Sequence, residues 1–150
     1  MVISTILGSC VAVCLWDSER RVGGMNHILV PEGSGPGACA VGHGASAMET
    51  LINALMKRGT RRSDVVAKVF GGASIVAGLS DVGARNSAFV FDYLRVEGIR
   101  CTSQSVGGTL ARHIRFCPES GRVRQRLVHD SMAPQDRLEV PVEANGLELL

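Results

Sequence analysis

Only two segments of this chain, 43–58 and 84–97, space their apolar residues at helical intervals; every other patterned stretch reads as strand. In the first, Ala47, Met48, Leu51, Ile52, Leu55 and Met56 recur at that spacing, and Gly59 follows the basic pair Lys57 and Arg58 as a helix stop. In the second, Ala88, Phe89, Phe91, Leu94 and Val96 are the apolar positions and Gly98 ends the helix. Strands are expected at 10–16 (CVAVCLW), at 22–30 up to Pro31, and at 65–70, 99–106, 110–117 and 122–128. The order strands, helix, strand, helix, strands predicts an α/β or α+β domain with a mixed sheet and helices packed outside it.

Two hairpins follow from the spacing of turn residues. One joins 10–16 to 22–30 across Asp17–Arg20, the other joins 110–117 to 122–128 across Pro118-Glu119-Ser120-Gly121. The Gly-rich stretch 32–44 reads as a surface loop. The 150 residues fit one core. Residues 1–131 form the expected domain, and 132–150 a weakly patterned tail with one short strand at 137–142.

Charge and cysteine usage narrow the function. A formal net charge of +2 is too small to imply nucleic acid or anionic lipid. The basic clusters Lys57, Arg58, Arg61, Arg62 and Arg122, Arg124, Arg126 carry no interleaved aromatics and read as solvated faces. No apolar run approaches the ~20 residues that span a bilayer. Five cysteines without a CxxC pair argue against a disulfide framework and a zinc ribbon, and point to a reducing cytoplasm. No histidine pair has the i, i+4 spacing of a helical metal site, so no metal is expected, and no cofactor either. Gly71-Gly72-Ala73 lacks the Lys-Ser/Thr of a phosphate loop. It is a strand-end turn or a wall of a cleft.

Cys10 is the candidate with chemistry. Taken alone, a free cysteine before a buried strand is most often a small packing residue. To act as a nucleophile it needs a base, and His27 is placed to serve. A hairpin with Ser18-Glu19 at its tip sets Cys10 directly opposite His27, where paired Cβ atoms stand about 4.5–5.5 Å apart. A two-residue change of register keeps the pair on one face; a one-residue change separates it. The small Gly8 and Ser9 leave the thiol reachable and their backbone N–H groups free to hold an oxyanion. Cys14, Cys101 and Cys117 read as packing residues and Cys39 as a loop residue without an activating neighbour. His43 opens the first helix, as a surface residue or at the edge of a substrate groove, and His113 and His129 are weaker candidates. Arg85 and Asn86 are either surface caps or fixed polar groups that support the site, and Gly107-Gly108 is a bulge or turn.

The runs Leu7-Gly8-Ser9-Cys10-Val11-Ala12-Val13 and Gly23-Gly24-Met25-Asn26-His27-Ile28-Leu29-Val30-Pro31 resemble the chemoreceptor glutamine deamidase (CheD) family. Phe70-Gly71-Gly72-Ala73, Gly83-Ala84-Arg85-Asn86 and Gly107-Gly108 follow in that family's order, so the resemblance covers roughly 3–128. It implies a mixed β-sandwich with helices outside, related to cysteine toxin deamidases. It implies a cytoplasmic enzyme that hydrolyses glutamine side chains on methyl-accepting chemoreceptors to glutamate, with a CheC phosphatase as a further partner. Cys10 takes the nucleophile's place and His27 the histidine's. The family's third residue, a threonine six positions before the cysteine, falls on Ser4, with Thr5 beside it as the alternative. Gly8, Ser9, Gly71 and Gly72 are the expected substrate-binding positions. The family has a longer leader before this motif, which the domain is expected to lack. A regulatory binding module without catalysis and a different thiol hydrolase are the competing functions.

Overall fold

Strand Val11–Asp17 is buried on both faces, which explains its unbroken apolar run. Its odd positions, Val11, Val13 and Leu15, face a core shared with the helices; Ala12 and Cys14 face a second core. The computed structural model describes residues 1–30, 38–75, 81–128 and 148–149. In chain order the elements are β1 (Ile3–Leu7), β2 (Val11–Asp17), β3 (Val22–Ile28), α1 (Ala38–Lys57), β4 (Val66–Gly71), α2 (Asp81–Glu97), β5 (Arg100–Val106), β6 (Ala111–Cys117), β7 (Arg122–Val128) and β8 (Glu148–Leu149).

They form two sheets. One has the order β1-β6-β7 and is antiparallel throughout; the other has the order β5-β4-β2-β3-β8, with β4 and β5 parallel. The parallel step is the one that carries α2 as its crossover. The three-stranded sheet lays Ile3, Leu7, Ile114 and Phe116 on Ala12, Cys14, Met25 and Phe70 of the larger sheet. The helices cover that sheet's other face through Met48, Leu51, Ile52, Leu55, Val90 and Leu94. The fold is therefore the α+β arrangement with outer helices that the pattern predicted, with the two sheets of the sandwich that the resemblance implied. Among the described residues no helix is long and apolar enough to cross a membrane.

Several boundaries differ from expectation. Strand β1 was not among the expected strands: five residues, ISTIL, are too short a pattern to stand out, yet they alternate buried and part-buried. Helix α1 begins at Ala38, inside the stretch read as loop; the helix-favouring Ala38 and Ala40 outweigh the glycines at 42 and 44. Helix α2 begins three residues early, at Asp81, and ends as expected before Gly98, whose φ is +69°. The expected strand at 137–142 and most of the tail lie outside the described residues.

Candidate active site

The first hairpin brings Cys10 and His27 to the same face, but not directly opposite. His27 pairs with Ala12, and Asp17 pairs with Val22. The register is thus two residues away from the one expected, because the loop has four residues, Ser18–Arg21, instead of two. The Asp17 carboxylate explains the longer loop. Its Oδ1 accepts the N–H groups of Glu19 (3.0 Å) and Arg20 (3.2 Å), while Arg21 N donates to Asp17 O at 2.9 Å. A shift of two preserves the face. Cys10 sits just before β2, diagonal to His27.

The hydroxyl that meets the imidazole is Thr5's. Thr5 Oγ1 lies 2.9 Å from His27 Nε2, and Thr5 is 1% exposed. Ser4, the residue expected there, is part-exposed and opposite Arg115 in β6. Successive side chains on a strand point to opposite faces. Only one of these two neighbours can reach the sandwich interior, and β1 turns Thr5 inward between Ile3 and Leu7.

With Nε2 committed to Thr5, the ring nitrogen left for Cys10 is Nδ1. In the tautomer that donates Nε2–H to Thr5 Oγ1, Nδ1 is unprotonated and able to take a proton. Burial pushes the Cys10 thiol up and the His27 imidazole down. Both effects favour the uncharged form of each group.

The loop holding Cys10 is fixed from behind. Ala73 N donates to Gly8 O and Gly72 N to Cys10 O, each at 2.9 Å; Asn86 Nδ2 donates to Ser9 O at 2.8 Å. Gly71 has φ +113°, and a Cβ there would stand 2.2 Å from Cys10 O. Only glycine fits so close to that carbonyl. Gly71 and Gly72 are buried and back the Cys10 loop; they do not line an open groove. Gly8, Ser9 and Cys10 themselves are half-buried, in contrast to the glycines behind them. Gly107 N in turn donates to Gly71 O at 2.9 Å, and the buried Arg112 guanidinium donates to the Gly107 and Ser105 carbonyls. The Gly107-Gly108 turn therefore supports the support.

Asn86 is fully buried, while Arg85 is exposed. The two readings of that pair thus separate, one residue each. The side chain of His43 and residues 31–37 lie outside what the structure describes. Cys14 is buried in the inter-sheet core. A cavity of about 430 Å³ opens elsewhere, on the outer face of the three-stranded sheet, lined by Val2, Arg115, Cys117, Ser120, Arg122 and Arg124. Among the described residues no three His, Cys, Asp or Glu side chains gather as a metal site would require.

The sequence was compared with known proteins. The family model described as "CheD chemotactic sensory transduction" matches residues 31–127, a span that starts just after the Cys10–His27 hairpin. The probable chemoreceptor glutamine deamidase CheD of Caulobacter vibrioides (strain NA1000 / CB15N) is 56% identical over 139 residues, which is 91% of this chain and 74% of the relative. That of Caulobacter sp. (strain K31) is 52% identical over 138 residues, 91% of this chain and 73% of the relative. The probable chemoreceptor glutamine deamidase CheD 1 of Ruegeria sp. (strain TM1040) is 52% identical over 130 residues, 87% of this chain and 70% of the relative. These alignments cover most of the chain at about half identity, and with the match of 31–127 they show that the chain belongs to the CheD family.

Proposed function

We propose that this chain is a protein-glutamine deamidase that hydrolyses the side-chain amides of chemoreceptor glutamines to glutamate in chemotaxis adaptation. One observation carries the reading: a half-buried Cys10 shares a hairpin face with His27, whose far ring nitrogen is engaged by Thr5. A thiol, a neutral base beside it and a group that orients the base are the parts that thiol acyl transfer needs. Relatives bearing the deamidase name supply the substrate class.

The chemistry needs only side chains and water. His27 Nδ1 takes the Cys10 proton as the thiolate sulfur bonds to the carboxamide carbon of the glutamine. The carbonyl electron pair moves onto oxygen, where the backbone N–H groups of Ser9 and Cys10 receive it. The C–N bond then breaks, and His27 gives its proton to the leaving nitrogen, releasing ammonia and leaving a thioester. His27 next takes a proton from water, whose oxygen attacks the thioester carbon. The C–S bond breaks, and the thiol regains its proton. The sum is glutamine plus water to glutamate plus ammonia. Thr5 takes the orienting role expected of Ser4, and Gly71 and Gly72 act by holding the loop rather than by touching substrate.

In this reading residues 1–131 carry the activity, in the cytoplasm, where Cys10, Cys14, Cys101 and Cys117 stay as free thiols. A CheC-type phosphatase is a second partner in the same reading, measured by its own binding assay. The test of turnover is the mass of a receptor fragment after incubation. Deamidation adds about one dalton per converted glutamine as an amine is exchanged for a hydroxyl. Unchanged mass with wild type, or full conversion by Cys10→Ala, overturns the enzyme reading. A cleaved fragment would show a peptidase instead.

A further inference from the structure

Asn86 joins the two halves of the site. Its Nδ2 donates to Ser9 O and its Oδ1 accepts from Val30 N, both at 2.8 Å. One segment carries Cys10 next in line; the other is the exit of β3, three residues past His27. Asn86 is 0% exposed, so both ends of its amide are spent on backbone. Its bond to Val30 N lies where β3 was expected to continue; the ladder instead stops at Ile28.

Helix α2 is built to bring Asn86 there. A Cβ at Gly83 would stand 2.3 Å from Gly72 O and 2.6 Å from Ala73 O. Glycine in the first turn therefore lets the helix start rest on the backbone that holds Cys10. Asn86 follows three residues later on the same face, and Val90 and Leu94 continue that face into the core. The residues Gly83 and Asn86 work together: one allows the approach, the other makes the bonds.

The consequence lies in the peptide between Ser9 and Cys10. Among the described residues no peptide bond is cis, so in this unit C=O and N–H point in opposite directions. Asn86 holds the Ser9 carbonyl toward α2 and thereby turns the Cys10 N–H the opposite way, away from α2. The flanking carbonyls of Gly8 and Cys10 are held by backbone N–H groups of 72 and 73; this one is held by a side chain. We infer that Asn86 is a positioning residue for amide hydrolysis, fixing the Ser9–Cys10 peptide so that the Cys10 N–H receives the oxyanion of the tetrahedral intermediate. The inference rests on the deamidase reading of Cys10.

The test separates oxyanion formation from thiol reactivity. Iodoacetamide alkylates a thiolate by displacement at an sp³ carbon, so no oxyanion forms. Asn86→Leu keeps most of the volume and removes both bonds; Asn86→Ala removes both and leaves space. For each, kcat of deamidation is expected to fall about 10–100-fold, below the loss seen when a direct oxyanion donor is removed, with KM within about threefold. Alkylation of Cys10, followed by peptide mass mapping, is expected to stay within about twofold of wild type. Proportional losses in kcat, alkylation and melting temperature would mean a structural role alone and overturn the proposal, as would unchanged kcat. If neither variant folds, the wild-type Cys10 amide resonance decides. It must shift when a glutamine-aldehyde peptide forms its tetrahedral adduct, and an unmoved resonance overturns the assignment. Wild type that converts no glutamine removes the deamidase reading and this inference with it; active wild type with an indifferent Asn86 removes this inference alone.

Discussion

Thr5 and His27 sit on different sheets of the sandwich, and their side chains meet at 2.9 Å. The contact ties β1 of the three-stranded sheet to β3 of the larger sheet. It also engages Nε2 and leaves Nδ1 as the imidazole's other nitrogen. A base on one sheet oriented by a hydroxyl on the other depends on how the two sheets are docked, so packing of the inter-sheet core reaches directly into the chemistry.

Replacing Thr5 by Val keeps the shape and removes the hydroxyl. A neutral hydrogen bond contributes about 0.5–1.5 kcal/mol, so kcat should fall up to about tenfold, with a smaller change in KM. Thr5→Ser restores most of the rate. Ser4→Ala, on the opposite face of β1, should stay within about twofold of wild type. Steady-state deamidation of a receptor fragment measures all three. Ser4→Ala falling further than Thr5→Val would reverse the assignment.

An uncharged Cys10–His27 pair has a pH signature. Burial lowers His27 from its ordinary 6.5 and raises Cys10 from its ordinary 9.0. Hydrolysis needs the neutral imidazole, so kcat/KM should rise with pH through a pKa below 6.5 and hold level above it. Alkylation of Cys10 by iodoacetamide without substrate needs the thiolate, so its rate should still be climbing past pH 9. An alkylation rate already level at pH 7 would instead reveal a thiolate–imidazolium pair.

The helices, the two hairpins and the Cys10–His27 face were legible in the sequence because each rests on a local pattern. CVAVCLW reads as a buried strand, and Pro118–Gly121 as the turn of a second hairpin. The register of the first hairpin was harder. It is set by Asp17, whose side chain folds back on the turn and adds two residues to the loop. Strand alternation alone does not reveal such a contact. Ser4 and Thr5 could not be separated without knowing which way β1 faces, and that is decided by pairing with β6, more than a hundred residues away. Asn86 was visible as a polar residue in a glycine-bearing helix start, with two roles open. What chose between them was the docking of α2 through Gly83, a tertiary contact.

Gly71 and Gly98 both have left-handed backbone, yet only one touches the site. Nothing lies within 4 Å of a Cβ built at Gly98, so Gly98→Ala meets only conformational strain, about 1–2 kcal/mol. Its activity should match wild type once folded. At Gly71 the same methyl would press on Cys10 O, moving the nucleophile as well as straining the chain. Gly71→Ala should therefore lose about 100-fold in kcat, the scale of a misplaced reacting group. Urea unfolding and turnover on both variants check the contrast, and equal activity would show that the Cys10 loop absorbs the push.

Among the described residues Arg21 is the non-glycine residue with left-handed φ, at 56°, in the loop that sets the hairpin register. The second hairpin puts Gly121, φ 74°, at the matching place, and each residue donates its N–H to the carbonyl four positions back, Asp17 or Cys117. The two loops thus have one backbone design, with glycine used in one and arginine in the other. Arg21→Gly relieves the Cβ strain but frees the unfolded chain, and the Arg21 Nε bond to Glu119 O, 3.4 Å and exposed, adds little to the balance. The net expectation is a gain of about 0.5–1 kcal/mol, or a rise in melting temperature of about 1–4 °C for a chain of this size. Because Asp17 still fixes the loop length, His27 stays paired with Ala12 and deamidation stays at the wild-type rate. A stabilised variant that lost activity would mean that Arg21, not Asp17, sets the register on which the Cys10–His27 pairing depends.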